Sequence, residues 1–388
     1  MRKSILAAQQ VPFGRVALVH DWVVDLGGAE RVLGALREVF PDARLHTLFH
    51  SPASLRRLGF DPATVAASFL QRVPGVTRHY RRLLPLYPAA IERFNLSAYD
   101  VIISSSHAVA KGVRRRPGQV HLCYCHTPVR YAWEMRDEYL QLQGLDHGPA
   151  RVATVALLNR LQRWDARTAA RVDRFVANST AVAGRIRRSY GRPASVVHPP
   201  VDVERFRTAK SSREYFLFVS RLVPYKRADL AVMACTRLGL PLRVVGEGPA
   251  EAGVRALAGP TVEFLGWQDD AAVAELMSGA RALIFPAHED FGIVPVEAQA
   301  AGIPVVAFGA GGVRDSVVPA DGDNWDAATG VFFREQTQDA LATALRWFLE
   351  REDRFRPRAI RANAERFSRP HFVSGLLAEL RAAMAPPA

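Results

Sequence analysis

The stretch Phe285-Pro-Ala-His-Glu289-Asp-Phe-Gly292-Ile-Val-Pro-Val-Glu297-Ala carries an apolar run, Ala282 to Phe285, into a short polar loop and then into a helical pattern. The run reads as a buried strand. Pro295 suits the N1 position of the helix, whose first turn is expected to hold Pro295 and Glu297. A strand that ends in a loop and returns as a helix is the unit of an open α/β sheet. In such a sheet ligands bind at the carboxyl ends of the strands, where free N–H groups of the helix start favour an anion. Glu289 and Glu297 accept hydrogen bonds only when ionised, so together they suit a ligand with several hydroxyls flanking a phosphate, such as a sugar nucleotide.

Outward from this point the same unit recurs. Val16–His20 leads to Asp21-Trp22 and Leu26-Gly27-Gly28-Ala29-Glu30, after which Val32, Leu33, Leu36, Val39 and Phe40 repeat at helical spacing. Val101–Ser104, His121–Tyr124 and Arg174–Ala177 read as further strands, the last followed by Asn178-Ser179-Thr180, good N-cap chemistry. Tyr215–Ser220, Leu242–Gly246, Val262–Leu265, Ala282–Phe285 and Pro304–Phe308 repeat the scheme as buried parallel strands. The alternation restarts after His198-Pro-Pro-Val-Asp202, with the polar run Thr208-Ala-Lys-Ser-Ser-Arg213 as a hinge. The expected architecture is α/β, two Rossmann-like doubly wound domains facing across a cleft. Residues 1–205 form the first domain, 206–368 the second, and 369–388 a C-terminal helix packing back on the first.

At 388 residues the chain is long enough for two cores, and 49% hydrophobic against 23% charged residues mark it as globular. The start has Arg2-Lys3 but no long apolar run behind it, and no run of about eighteen apolar residues follows elsewhere. Cys123, Cys125 and Cys235 form no even framework, which suggests reduced thiols and a cytoplasmic setting. Cys123-Tyr-Cys125-His126 lies in a strand-like run and lacks a second pair, so no metal site is expected.

The net charge of +13 is unevenly spread. Residues 1–200 hold 29 Lys+Arg against 14 Asp+Glu, the remainder 22 against 24. The surplus gathers in Arg72, Arg78, Arg81, Arg82 and Arg93, and in Lys111 with Arg114, Arg115 and Arg116. The first group alternates with Val73, Val76, Tyr80, Leu83, Leu84, Leu86 and Tyr87, a pattern that suits an anionic membrane surface. A nucleic-acid groove is the other reading of such a half.

Glycine-rich turns stand at strand ends: Gly27-Gly28, Gly246-Glu-Gly248-Pro249 and Gly309-Ala-Gly-Gly312. Each lets backbone approach a phosphate closely. Ser220-Arg221-Leu-Val-Pro-Tyr-Lys226-Arg227 places cations just past a strand, where Arg can fork onto a diphosphate and Lys supplies a mobile charge. No Asp-x-Asp stands in a metal-nucleotide setting, so these cations, without a metal or other cofactor, would stabilise a departing diphosphate.

The ordered set Gly27-Gly-Ala-Glu30, His126-Thr-Pro128, Ser220-Arg-Leu222 with Lys226, Gly246-Glu-Gly-Pro249, Phe264-Leu-Gly266 and the Glu289-x7-Glu297 pair resembles the family 4 retaining glycosyltransferases of the GT-B fold. His126-Thr-Pro-Val-Arg-Tyr-Ala-Trp133 with Glu289 to Glu297 is similar to bacterial GDP-mannose-dependent mannosyltransferases of O-antigen and exopolysaccharide assembly. The resemblance implies that Glu297 holds the ribose hydroxyls and Glu289 the transferred sugar. Arg221 and Lys226 would hold the diphosphate, beside the backbone of Phe291, Gly292, Ile293 and Val294. His126 would lie against the donor sugar, and Gly27-Gly28 would close over the site. Asp270 matches the acid that reads guanine in relatives using GDP-mannose, although a lysine that accompanies it in some of them is missing; aspartates also cap helices.

The expected activity is transfer of a hexose, mannose from GDP-mannose, to a polyprenyl-diphosphate-linked saccharide by a protein held peripherally at the inner face of the plasma membrane, with nucleic acid not expected as a partner. A UDP-sugar donor, a GT-B-like sugar-nucleotide epimerase and a nucleic-acid-binding protein are the alternatives.

Overall fold

The computed structural model describes residues 13–142, 144–208 and 213–385, which fall into two compact units. The first comprises the chain up to His198 together with the segment from Phe372; the second runs from Pro199 to His371.

The first unit is built on a seven-stranded parallel sheet: β1 (Val16–His20), β2 (Arg44–Thr47), β3 (Ala66–Ala67), β4 (Val101–Ser106), β5 (Val120–Cys125), β6 (Arg174–Ala177) and β7 (Ala194–Val196), in the order β3-β2-β1-β4-β5-β6-β7. Sequence-adjacent β1 and β2 run outward one way, and the chain then crosses back to lay β4 on the other side of β1. That crossover is a topological switch point, the place where ligands bind in open α/β sheets. His20 ends β1 in direct register with Ser105 of β4. Helix α1 (Gly28–Val39) buries Val32, Leu33, Ala35 and Leu36 on one face. Phe372, Leu376, Leu377 and Leu380 of the C-terminal helix pack into the same core as Val32 and Leu33. Helix α2 (Gly148–Thr168) buries Leu158, Leu161 and Trp164 against the other core. Helix α3 (Thr180–Tyr190) starts where the Ser179 hydroxyl accepts from Val182 N–H at 3.2 Å, and ends at Gly191 in the left-handed region.

The second unit repeats the design with six parallel strands: β8 (Tyr215–Val219), β9 (Leu242–Val245), β10 (Val262–Gly266), β11 (Ala280–Phe285), β12 (Val305–Phe308) and β13 (Gly330–Phe333), ordered β10-β9-β8-β11-β12-β13. Helices α4 (Ala228–Leu238) and α7 (Gln338–Leu349) cover one face, and α6 (Ile293–Ala300) lies on the other; α5 (Asp270–Ser278) joins β10 to β11. The switch point here lies between β8 and β11.

The interior strands sit where the apolar runs put them, and the doubly wound fold is as expected. Several details differ. β2, β3, β7 and β13 go unannounced, being short, partly exposed or glycine-containing edge-ward strands. β10, read as buried, is an edge strand and only half-buried, because a neighbour covers one side alone. The chain passes between units at His198–Pro199, ahead of the boundary placed at 205. Of the hinge run, residues 209–212 lie outside the described residues. Pro295 sits at the third position of α6, not the first, because the helix already starts at Ile293 after Gly292 turns through the left-handed region (φ 86°).

The basic surplus divides as well. Lys111 is buried with Asp165, Arg114 pairs with Glu92 and Arg115 with Asp173, so that cluster is largely committed inside the unit. Arg72, Arg78, Arg81 and Arg82 are exposed, beside the exposed Phe69, Val73 and Leu86. No helix among the described residues is long and apolar enough to cross a membrane. Cys123 and Cys125 are buried free thiols packed with Phe175 and Val182, and burial pushes the Cys125 thiol well up, leaving it protonated.

Candidate active site

In the second unit the switch point brings together what the sequence left apart. β8 ends at Val219 and continues through Ser220 and the exposed Arg221 to a 3₁₀ turn, Pro224–Lys226. β11 ends at Phe285 and continues to Glu289. Lys226 Nζ donates to Glu289 Oε1 across this crossover, with both side chains mostly buried. Glu289 is held from behind by its backbone. Its carbonyl accepts Gly312 N–H at 2.9 Å, and a Cβ on Gly311 (φ 77°) would stand 2.3 Å from that same carbonyl oxygen. Gly246 and Gly248 serve the neighbouring loop in the same way: a Cβ on either would meet Ser220 O at 1.9 Å or Leu222 O at 2.2 Å. The close approach these glycines permit includes adjacent backbone, which seats the Arg221 and Glu289 loops.

Gly292 leads into α6, where Ile293 and Val294 occupy the first two positions and the helix's own ladder offers their amides no acceptor. Phe291 is buried beneath them and stacks obliquely on Phe367. Glu297 is one turn further on and also buried. Arg205, in the 3₁₀ turn Val203–Arg205, reaches two carboxylates: Nη2 to Glu297 Oε1 and Nη1 to Asp270 Oδ2, each at 2.8 Å. The cap of α5 is Asp269, whose Oδ1 accepts Ala272 N–H at 2.8 Å. Asp270 is thereby spared capping and turns its carboxylate to Arg205.

The first unit has its own polar cluster at the β1/β4 crossover. Asp21 is fully buried and accepts backbone N–H groups from His107, Ala108, Val109 and Ala110 at 2.6 to 2.9 Å, pinning the turn after β4. His126 follows β5; its N–H donates to Ser106 O at 2.8 Å and its carbonyl accepts from Asn178 at 3.0 Å. Its ring Nε2 meets Ser105 Oγ at 2.9 Å, and Ser105 Oγ meets His20 Nδ1 at 3.1 Å. His20 Nε2 faces Glu30 Oε1 at 3.7 Å, while Glu30 Oε2 accepts Gly27 N–H at 2.8 Å. Gly27 is the N-cap of α1 and Gly28 its first residue. Burial holds His126 well below the ordinary histidine range, and His107 and His20 add to the effect. Burial opposes ionisation of Glu30, but His20, His107 and the Gly27 amide outweigh it and keep its carboxyl below the usual range.

Residues 26–205 match the family described as Glycosyltransferase Family 4, and residues 201–367 that described as Glycosyl transferases group 1. The chain is thus similar to the Glycosyltransferase Family 4 proteins over its first half and to the Glycosyl transferases group 1 over its second. Similar curated proteins include the D-inositol 3-phosphate glycosyltransferase of Segniliparus rotundus, 32% identical over 247 residues, and that of Nocardia farcinica, 29% identical over 324. The match covers 55% of this chain and 53% of the first relative, and 72% and 70% for the second. The chain thus spans about half the length of the first. Among solved structures, Anabaena HepE in complex with UDP and glucose is 19% identical with a TM-score of 0.67, over 95% of this chain and 99% of that one. Sucrose-phosphate synthase from Thermosynechococcus elongatus is 17% identical with a TM-score of 0.70, over 95% and 100%. These likenesses are of fold, and the fold is GT-B.

Of the residues singled out in the sequence, Lys226 and Glu289 are brought into contact, Asp270 and Glu297 are joined through Arg205, and Gly27 lies beside the His126 cluster through Glu30 and His20. Arg221 stands exposed at the same strand edge. Sequence reasoning missed Arg205, His20, Asp21 and Ser105. The signal for the last three was present: His20-Asp21 and Ser105 close two adjacent strands. For Arg205 the only signal was a cation just past the restart of the strand-helix pattern.

Proposed function

We propose that this protein is a retaining hexosyltransferase that takes a nucleoside diphosphate hexose, GDP-mannose in the first instance, and passes the sugar to a hydroxyl of a polyprenyl-diphosphate-linked saccharide. The observation that carries the reading is the Lys226–Glu289 contact at the second switch point: one cation suited to a diphosphate beside one carboxylate suited to sugar hydroxyls. In this reading Glu297 takes the ribose hydroxyls, Arg221 and Lys226 with the amides of Phe291, Gly292, Ile293 and Val294 take the diphosphate, and Asp270 accepts from the N1 and N2 donors of guanine. The acceptor oxygen bonds to the anomeric carbon on the face the diphosphate leaves. The carbon–oxygen bond to phosphate breaks with its electron pair going to the diphosphate, and a diphosphate oxygen takes the acceptor's proton. Arg221 and Lys226 would stabilise the charge that develops there, without a metal. His126 would orient and stabilise the transferred sugar, and Gly27-Gly28 would close over it.

The exposed Arg72, Arg78, Arg81 and Arg82, with Phe69, Val73 and Leu86 beside them, supply the contact with an anionic leaflet that a lipid-linked acceptor calls for. The peripheral, cytoplasmic placement rests on that patch. A second reading comes from the relatives' name: an acceptor such as inositol 3-phosphate would be soluble and phosphorylated, and HepE was solved with UDP.

Thermal stabilisation of the purified protein by GDP, UDP and ADP at matched concentrations tests the donor. A ligand at a hundred times its dissociation constant adds about 2.7 kcal/mol. Selective stabilisation by GDP supports Asp270 as the base reader, whereas preference for UDP discards guanine. Incubation of GDP-mannose with lipid-linked and inositol-phosphate acceptors then separates the acceptors, and release of an altered nucleotide without acceptor would indicate an epimerase.

A further inference from the structure

The cluster at the first switch point takes its direction from the Glu30 carboxylate that faces His20. Glu30 Oε2 accepts the Gly27 amide, and its Oε1 faces the buried His20 Nε2 at 3.7 Å, an electrostatic approach without a hydrogen bond. An ionised carboxylate only accepts, so in the neutral His20 ring the nitrogen that faces it, Nε2, is the one that carries the proton. His20 is then bare at Nδ1 and accepts from the Ser105 hydroxyl at 3.1 Å. With its one hydrogen committed, Ser105 Oγ offers only lone pairs to His126 Nε2 at 2.9 Å, so that nitrogen must donate. With His20 neutral, the reverse arrangement would set a bare Nε2 against a carboxylate oxygen, lone pair to lone pair, and would require a protonated Glu30, against the direction in which its neighbours hold it.

We propose that Ser105, backed by His20 and Glu30, is a positioning residue that fixes His126 as the Nε2–H tautomer with a bare Nδ1. The members are held in place independently of any ligand. Ser105 is fully buried in β4 in register with His20, and Asp21 pins the following turn with its four amide contacts. His126 therefore acts as a hydrogen-bond acceptor at Nδ1, suited to a sugar or acceptor hydroxyl and unsuited to donating to a phosphate oxygen. The relay also ends on the Gly27 amide, so the conformation of the Gly27-Gly28 turn and the tautomer of His126 are coupled. The role in transfer rests on the glycosyltransferase reading above; the tautomer does not.

The test uses the full-length protein labelled with ¹⁵N-histidine, the His126 signals being assigned with His126→Gln. At neutral pH the His126 spectrum is expected to show a protonated Nε2 and a bare Nδ1. Ser105→Ala should mix or invert the two tautomers and lower kcat for sugar transfer tenfold or more, with the donor KM within about twofold; Ser105→Thr, which keeps the hydroxyl, should restore both. Glu30→Gln provides a second way to loosen the tautomer should Ser105→Ala fail to fold. A wild-type His126 protonated at Nδ1, or a Ser105→Ala protein with unchanged spectrum and kcat, overturns the proposal. Absence of transfer from any nucleotide sugar would remove the enzymatic reading while the spectrum still decides the relay.

Discussion

Lys226 and Glu289, 63 residues apart in sequence, form an ion pair across the β8/β11 crossover, and the Glu289 end is seated by the backbone of Gly311 and Gly312. The two side chains, which the proposed reading assigns to opposite ends of a sugar diphosphate, satisfy one another. Arg205 does the same for Glu297 and Asp270. In the proposed reading, a donor would exchange these protein pairs for its own hydroxyls and phosphates without leaving a charge bare.

Lys226 and Glu289 are mostly buried but each keeps some exposure, so their pair is partly screened. Glu289→Ala should therefore lower transfer by a thousandfold or more, with a Tm shift of no more than about 4 °C. A transfer assay and a thermal melt on the same preparation check this, and full activity would refute the assignment of Glu289.

Arg205 is placed to show why Arg and Lys differ. Its two arms go to two carboxylates, one of them the buried Glu297. Arg205→Ala should cost roughly 3 kcal/mol, since truncating one partner leaves a buried charge without its cation. Arg205→Lys should recover only part, as a single ammonium is a point charge and lacks the guanidinium fork. Urea unfolding of the second unit, followed at a probe such as Trp347, measures the difference.

Lys111 is one of four lysines in the chain and was counted with the basic surface. It is instead the centre of a buried node: Nζ lies 2.8 Å from Asp165 Oδ1, and Asp165 Oδ2 accepts from Trp133 Nε1 and Tyr190 O–H, each at 2.8 Å. Asp165→Ala should destabilise the first unit by about 3 to 5 kcal/mol, and replacing Lys111 and Asp165 together by Met and Leu should recover most of that loss. Denaturation curves of the single and double variants decide it.

On the surface, charge reversal at Arg78, Arg81 and Arg82 should release the protein from vesicles containing anionic lipid and leave transfer to a short soluble acceptor analogue unaffected. Each cation near such a surface contributes about 1 kcal/mol, so three reversals are enough to abolish cosedimentation. Unchanged vesicle binding would sink the docking role of this patch.

The interior strands were legible because a strand buried on both faces needs a continuous β-branched or aromatic run, as in Val101–Ile103 or Tyr215–Val219. The edge-ward strands Ala66–Ala67 and Ala194–Val196 were not, since half-buried backbone demands no such run. The site divides along the same line. Glu289, Glu297 and Lys226 announce themselves as local punctuation at strand ends. Arg205 acquires its meaning only from a carboxylate 92 residues away, and the relay only from steps of 85 and 21 residues. Gly246, Gly248 and Gly311 are also places where one loop rests on another, a contact that local spacing does not carry.

Acid sensitivity is expected from histidines of the first unit that the site does not use. Burial lowers His121 to about 4, and the same cause lowers His46 to about 4. His121 is satisfied as a neutral ring: Nδ1 donates to Arg171 O at 3.0 Å, and Nε2 accepts from the Ser104 hydroxyl at 2.8 Å. The unfolded chain takes up the proton near pH 6.5, the folded one only near 4, so the unfolded state binds more protons between these limits. The contribution of each histidine is therefore fully present above about pH 6.5 and is lost as pH falls towards 4, up to about 3 kcal/mol apiece. Below that the two no longer add to the slope. The Tm of the protein should fall steadily from pH 6.5 to 4.5, and His121→Asn, which keeps a donor for Arg171 O but cannot be protonated, should be less stable at pH 7.5 and show a shallower fall. A Tm unchanged from pH 7.5 to 4.5 would mean that these rings take up protons without unfolding the sheet.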